Sequence, residues 1–251
     1  HLGSLMEMEI HPLYVKQSAP HDAAMGAGWA SRTWEKQMID EGRTEIAEMI
    51  ASEQDFCPVL KDPKVIYGDR EAELLRIAQT EEFDLYVEGA HFAWNQHEIY
   101  KKLHSKVCQH LASPLVIVHA LRKVSQIVLL CLDVPGTETL TRSFQRLAMG
   151  GALPLLMAVP TGPSDAEPGK SLRESVEVSR GRLVDCGYTV SVADTLPAVP
   201  HPEALDALAD HGLIAIAPER TIRKDSVELQ WLSLVKASAL LAFQDTGRNL
   251  P

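Results

Sequence analysis

An internal repeat dominates this 251-residue sequence. Residues 112–118 (ASPLVIV) and 237–243 (ASALLAF) each follow a helical segment and close a run of alternating strands and helices. Strands that alternate with helices need right-handed crossovers, which bring the strands into one parallel sheet. A repeat of such α/β units therefore predicts two tandem doubly wound parallel-sheet domains, residues 1–121 and 122–251.

Composition and charge exclude several classes of protein. The formal net charge of −10 argues against sequence-independent binding to nucleic acid or anionic membranes, because both depend on basic patches. No apolar run approaches the roughly 20 residues that span a bilayer, so we expect no membrane insertion. Four cysteines without a CxxC pair or metal-like spacing predict reduced thiols in the core of a cytoplasmic protein: Cys57, Cys108, Cys131 and Cys186.

The second copy has a complete set of elements. Residues 126–133 (QIVLLCLD) form an apolar run that ends in an acid, as in a buried parallel strand. Pro135 and Gly136 then indicate a turn before a helix that Thr137 or Thr139 caps. The patterns predict strands at 126–133, 153–159, 188–193, 213–217 and 240–243. The helix after the turn is predicted to end at 149, and further helices are predicted at 171–186, 202–211 and 225–236.

The first copy follows the same order from its second strand onward. Residues 1–4 (HLGS) resemble the end of a helix and match 149–151 of the second copy. The second copy's spacing then indicates that about 25 to 30 residues, which carry the first strand and helix, are absent upstream. The patterns predict strands at 9–15, 65–67, 83–87 and 115–118, helices at 34–53, 70–80 and 96–111, and a linker at 121–125.

Three stretches of the first copy stand out, 68–72 (GDREA) at the start of a helix, 83–91 (FDLYVEGAH) and 113–118 (SPLVIV). Together they resemble the universal stress protein family. In the second copy, 127–133 resembles the family's opening strand. The resemblance implies the strand order 3-2-1-4-5 in each domain and a nucleotide site at the carboxyl edge of the sheet. It also implies pairing of two such domains, within one chain or as a homodimer.

ATP-binding members of that family carry the motif G-x2-G-x9-G-[S/T] after the fourth strand. Its glycines let backbone N–H groups approach the phosphates beside a helix N-terminus. Gly89 matches the first position, but Phe92 stands at the second, and Lys101 and Lys102 fall near the last pair. The second copy has residues 217–220 (APER) there, without glycine. These departures predict a degraded triphosphate site in both copies, and we interpret the two lysines as part of a solvated helix face.

Asp133 is the second candidate for a nucleotide contact, in addition to Gly89. It ends the second copy's first strand, and open α/β sheets place ligands at that edge. The resemblance implies that its carboxylate faces the adenine or ribose of a bound nucleotide. The alternative is an acid that caps the following helix or is solvated at the strand end, which we favour because no phosphate loop stands beside it.

No constellation of residues predicts catalysis or a metal site. The histidines within 91–110 recur every six or seven residues, whereas metal ligands on one helix stand three or four apart. His21 and Asp22 are adjacent, but no serine or cysteine nucleophile lies near them in the sequence. We interpret the other candidates as core or interface tryptophans and a solvated basic loop: Trp34, Trp94, Trp231 and 220–224.

The resemblance and the lost glycines together predict a non-catalytic stress-response or regulatory protein that acts through protein partners without ordinary ATP binding. Two alternatives stay open. One is a nucleotide-binding member with ATP or AMP at an atypical phosphate site and weak hydrolysis at most. The other is a regulatory domain from a larger protein such as a membrane transporter. We also expect the place of the absent first strand to be filled, by the missing segment or by another chain, because buried unpaired backbone groups are costly.

Overall fold

The computed structural model describes residues 8–17, 29–51, 60–119, 123–147, 153–161, 167–197, 200–203 and 212–244. The chain divides into two compact units, His1–Glu82 and Phe83–Pro251. It is a mixed α/β protein, and its larger sheet is mainly parallel.

The first unit contains two strands and two helices, which are β1 (Leu13–Lys16), α1 (Trp29–Ala51), β2 (Lys64–Tyr67) and α2 (Arg70–Thr80). β1 and β2 pair in parallel with Leu13 opposite Lys64, and α1 lies in the connection between them, as parallel pairing requires. α1 begins at Trp29 and ends at Ala51, whereas the sequence predicted a helix at 34–53.

Gly42 lets α1 approach the β1–β2 pair closely. The residue is buried, and a Cβ built on it would lie 2.9 Å from Val65 Cγ1 and 3.2 Å from Tyr14 Cε1. Glu45, about one turn further along α1, accepts hydrogen bonds from the Tyr14 hydroxyl and the Lys16 ammonium, both at 2.7 Å. Close packing at Gly42 and these polar contacts hold α1 over the strands.

The start of α2 follows from the sequence GDREA. Gly68 has a φ of 154°, which favours glycine. Asp69 is the N-cap, and its carboxylate accepts the N–H of Ala72 at 2.9 Å. Glu71 and Glu73 place negative charge in the first turn, where the helix dipole favours it.

The second unit is built on one sheet, in which the structure describes seven strands. In chain order these are β3 (Tyr86–Gly89), β4 (Leu115–Val118), β5 (Gln126–Leu130), β6 (Leu155–Thr161), β7 (Val190–Pro197), β8 (Gly212–Ile216) and β9 (Ser238–Leu241). The described helices of this unit are α3 (Gln96–Leu103), α4 (Lys106–His110), α5 (Val134–Leu147), α6 (Glu167–Asp185) and α7 (Val227–Leu234).

The spatial order of the strands is β3-β4-β9-β8-β5-β6-β7, and every pair of neighbours is parallel except β4–β9. The five strands from β5 to β9 thus lie in the order third, second, first, fourth, fifth when counted from β7. β4 joins this group through antiparallel pairing with β9, in which Val116 lies opposite Leu240. That pairing explains why the second compact unit begins at Phe83 rather than near residue 121.

The centre of the sheet is apolar on both faces. Every residue of β8 and β9 is buried, and so is every residue of β5 except Gln126. Such continuous apolar runs are typical of strands that are covered on both sides. α5 packs against α6 and α3 packs against α7, and the largest buried side chains on these helices include Phe144 and Trp231.

The predicted helix at 96–111 is two helices. His104 ends α3, and Ser105 begins α4, with the Ser105 hydroxyl accepting the N–H of Cys108 at 3.4 Å. A serine in extended backbone is a good N-cap but a poor helix-interior residue, so the chain restarts the helix there.

Some predictions concern residues outside the described ranges. These are the helix end at 1–4, His21 and Asp22, Cys57, most of the helix at 202–211 and the first part of the linker at 121–125. The helices within the described ranges are all too short or too polar to cross a bilayer.

Candidate functional site

Doubly wound sheets bind ligands at the carboxyl edge, where the strand order reverses. In this sheet the reversal lies between β5 and β8. Four residues meet at this edge, one pair after β5 and one residue after each of β8 and β9. We call them the carboxyl-edge cluster: Asp133, Gly136, Ala217 and Gln244.

Asp133 directly precedes α5 and caps its N-terminus. Its Oδ1 accepts the N–H of Gly136 at 2.5 Å, and its carbonyl oxygen accepts the N–H and the hydroxyl of Thr137 at 3.1 and 2.6 Å. These are the contacts of an N-cap. The prediction that Thr137 or Thr139 caps the helix is therefore wrong, because α5 begins at Val134, directly after Asp133. A contact between Asp133 and a nucleotide stays a prediction.

Gln244 closes the cluster from the β9 side, and sequence reasoning missed it. Its side-chain amide donates to Ala217 O at 2.6 Å, and the residue is only 6% exposed. A Cβ built on Gly136 would lie 2.8 Å from Asp133 Oδ1 and 3.2 Å from Gln244 Nε2, so a larger residue at position 136 displaces these side chains. The signal in the sequence was a polar residue directly after the buried run 239–243. Closely packed polar groups thus occupy the edge between β5 and β8.

The backbone after β8 is bonded to the segment after β9. Ala242 donates its N–H to Ile216 O at 3.0 Å, and Gln244 donates its N–H to Pro218 O at 3.1 Å. Glu219 and Gln244 also form an isolated parallel bridge. A phosphate loop needs N–H groups that point at the ligand, and Pro218 has none. This loop therefore has the contacts of a strand extension rather than those of a phosphate cradle.

Arg220 fixes the same loop to α4. Its guanidinium donates to Cys108 O and Leu111 O, both at 2.7 Å, and lies 4.9 Å from the centroid of the Phe243 ring. The Gln109 side chain donates in return to Arg220 O at 2.8 Å. The prediction of a solvated basic loop at 220–224 is wrong for Arg220, because its carbonyl partners lie far away in the chain and give no local signal.

Gly89, the candidate in the first copy, ends β3. A Cβ built on it would lie 3.6 Å from His91 Cε1, which is an ordinary van der Waals distance. Its backbone is that of an extended strand, which other residues also adopt. A larger residue therefore fits at position 89 without a steric clash. A role of Gly89 in cofactor binding stays a prediction.

Three stacked rings follow β3 and β4. The rings of Phe92 and Trp94 have centroids 5.9 Å apart and planes 16° apart, and those of Trp94 and His119 are 4.7 Å and 18° apart. The indole N–H of Trp94 donates to Leu232 O at 3.1 Å, which fixes the middle ring. Phe92, at the second motif position, is thus held in an aromatic stack where ATP-binding members carry a glycine.

Lys102 forms an ion pair with Glu88 of β3. The two side chains are 18% and 13% exposed, so both charges are largely removed from water. Lys101 is 58% exposed and lies 2.9 Å from the Glu98 carboxylate. The predicted solvated helix face therefore includes Lys101 but not Lys102, whose charge is already balanced by Glu88.

Two of the three described thiols are buried, whereas Cys186 is exposed, so the prediction of a core position is wrong for Cys186. Burial raises the pKa of Cys131 to about 12 and also raises that of Cys108, so neither thiol ionises readily near neutral pH. His104 and His110 each place Nδ1 2.9 Å from the carbonyl oxygen four residues earlier. Within the described ranges, His, Cys, Asp and Glu side chains form no group of three or more that is arranged to hold a metal.

The fold is similar to that of solved universal stress proteins. A putative universal stress protein from Pseudomonas aeruginosa UCBPP-PA14 has a TM-score of 0.52 and 9% identity, over 96% of this chain and 95% of that chain. A universal stress protein from Archaeoglobus fulgidus DSM 4304 has a TM-score of 0.53 and 14% identity, over 84% and 80%. No protein-family model and no curated protein matches the sequence. At such identities the likeness establishes the fold alone.

Proposed function

We propose that this chain is a universal stress protein-type regulator that acts through protein partners, without catalysis and without ordinary ATP binding. One observation carries the proposal, namely that the loop after β8 is committed to contacts within the protein. Its backbone bonds to the segment after β9, and Arg220 ties it to α4. Phosphate binding at this edge needs backbone N–H groups that point at the ligand, and Pro218, within the loop, has none.

The carboxyl-edge cluster supports the same proposal for the nucleoside half of the ligand. Asp133 Oδ1 is engaged by the N–H of Gly136, and Gln244 is buried against Ala217 O. A nucleoside in this place displaces Gln244 and leaves buried polar groups without their partners. Such a loss costs about 1–3 kcal/mol per group, which weakens binding by roughly tenfold or more.

The proposal includes a tandem arrangement of domains 1–121 and 122–251, in which the second domain has the strand order 3-2-1-4-5 and the first has strands two to five of that order. The order β7-β6-β5-β8-β9 supports it for the second domain. The antiparallel β4–β9 pair supports it for the two domains together, because it joins the last strand of each repeat. From the family resemblance we also propose that the protein resides in the cytoplasm and forms a homodimer. Analytical ultracentrifugation measures its oligomeric state.

Isothermal titration of the purified chain with Mg²⁺-ATP, and separately with AMP, tests the proposal. We expect no saturable heat with either nucleotide at concentrations up to about 1 mM, where binding is worth only about 4 kcal/mol. The matched variant is Gln244→Ala, which removes the amide from the carboxyl-edge cluster.

Micromolar binding with a defined stoichiometry to the unaltered chain contradicts the proposal. It supports the alternative, a nucleotide-binding protein with an atypical phosphate site, and Asp133→Asn then tests the contact with the base or ribose. Nucleotide released by denaturing the freshly purified protein, and detected by its ultraviolet absorbance, contradicts the proposal in the same way.

A further inference from the structure

An exposed imidazole lies flat on the middle ring of the aromatic stack. The middle ring is that of Trp94, and the imidazole is that of His119, with centroids 4.7 Å apart and planes 18° apart. His119 directly follows β4 and is exposed, whereas Trp94 is half-buried and has Phe92 on its other side. The outer ring of the stack therefore exchanges protons with the solvent while the middle ring is held within the protein.

Trp94 joins the first copy of the repeat to a helix of the second, inside one compact unit. Its indole N–H donates to Leu232 O at 3.1 Å, in the last turn of α7. The last carbonyls of a helix lack their usual partners within it, and the indole supplies one. Gln96, at the start of α3, donates to Lys224 O at 2.6 Å, which is a second contact between the copies. The segment 90–95 between β3 and α3 is thus held against α7 through the stacked indole.

Protonation of His119 adds an attraction to this stack. A neutral imidazole and an indole contact each other through dispersion and apolar burial. An imidazolium is attracted in addition to the face of the indole, which is the aromatic ring that binds cations best, within about 6 Å of its centroid. Histidine changes its charge between about pH 5 and pH 8. The attraction is therefore gained as the solution is acidified through that range, and it is lost as the pH rises.

The elements that the stack touches carry few other charges. β4 (LVIV) has no titratable side chain, β3 has Glu88, the segment 90–95 has His91, and α7 has Glu228. Glu88 is already paired with Lys102. Glu228 lies in the first turn of α7, whereas the carbonyl that accepts the indole N–H lies in the last. His91 is exposed and belongs to the same segment, so it needs a control of its own.

We propose that His119 and Trp94 form a pH-sensitive latch, which holds the segment 90–95 against α7 more tightly when His119 is protonated. The latch lies where the chain leaves β3 and β4, so acidification strengthens a contact between the two copies of the repeat. It is a regulatory device of the fold and stands whether or not the chain binds nucleotide.

The indole N–H of Trp94 reports the state of the latch directly. This N–H exchanges with solvent hydrogen when its bond to Leu232 O opens, and its signal is resolved by NMR. The exchange rate is measured at about pH 5.5 and about pH 8, and each value is corrected for the intrinsic rate at that pH. We expect about two- to fivefold more protection at the lower pH, which is the factor that a cation–π contact at an exposed site supplies.

Two variants at position 119 separate charge from shape. His119→Gln cannot become charged and is expected to remove the difference between the two pH values. His119→Arg places a permanent planar cation on the indole and is expected to give the protection of the acidic state at both pH values. The matched controls are His97→Gln, at an exposed imidazole of α3 outside the stack, and His91→Gln, and both are expected to keep the pH dependence.

Four results overturn the proposal. They are equal protection of the indole N–H at both pH values in the unaltered chain, greater protection at the higher pH, a pH dependence that persists in His119→Gln, and its loss in His91→Gln or His97→Gln. The first two need no variant. All four are independent of the nucleotide titration, so failure of the latch and failure of the proposed function are separate outcomes.

Discussion

Arg220 donates charge-assisted hydrogen bonds to the main-chain carbonyls of Cys108 and Leu111. Each such bond contributes about 1.5–3 kcal/mol, and the partial exposure of Arg220 reduces the sum. We expect Arg220→Ala to lower the free energy of unfolding of the second unit by about 2–4 kcal/mol. Arg220→Lys is expected to restore little, because an ammonium lacks the planar fork that reaches both carbonyls. Urea unfolding followed by tryptophan fluorescence measures the change.

The control for this prediction is Arg223→Ala, which removes an exposed arginine from the same loop. Its effect is expected to stay within about 0.5 kcal/mol, as for most surface substitutions. If Arg220→Ala is as mild as Arg223→Ala, the arginine does not hold the loop to α4, and the main support for the proposed function is lost.

Two helices offer a matched pair of glycines with opposite surroundings. In α1, a Cβ on Gly42 would lie 2.9 Å from Val65 Cγ1, whereas a Cβ on Gly181 in α6 would meet nothing within 4 Å. Alanine is favoured over glycine by about 1 kcal/mol in a helix interior. We therefore expect Gly181→Ala to stabilise α6 by about that amount, and Gly42→Ala to destabilise α1 by about 1–3 kcal/mol because overpacking outweighs propensity.

Amide hydrogen exchange along α1 and α6 measures these two effects separately. Stabilisation of α1 by Gly42→Ala shows that the helix can move away from β1 and β2 at little cost. In that case the close approach at Gly42 is not what fixes the position of α1.

How much of each element could be predicted depends on where its determinants lie in the chain. The apolar runs of β5 and β8 contain their own signal, so the sequence predicted both strands. The break between α3 and α4 was also readable in principle, since Ser105 is a local N-cap signal. Arg220 and Gln244 were not readable in this way, because each bonds to carbonyls that only the fold brings near.

The pairing of strands shows the same limit at the scale of the whole molecule. Residues 115–117 and 239–241 are apolar and buried, and the sequence predicted closing strands of the two repeats at 115–118 and 240–243. An apolar run indicates that a strand is covered, but it does not indicate which strand lies beside it. The antiparallel β4–β9 pair, which joins the repeats into one sheet, is therefore a property of the folded chain.

The two compact units are expected to differ in local stability. β1 and β2 form a two-stranded sheet whose residues are all partly exposed or exposed, whereas β4 and β9 lie within the larger sheet and are buried except for Val118. Two-stranded sheets are marginal by themselves, and amide protection reports the free energy of the opening that exposes each amide. We therefore expect the amides of β2 to exchange at least about 100-fold faster than those of β4 and β9, a difference of about 2.7 kcal/mol. Native-state hydrogen exchange at increasing urea concentration measures this, and equal protection with one shared urea dependence shows instead that the chain opens as a single cooperative unit.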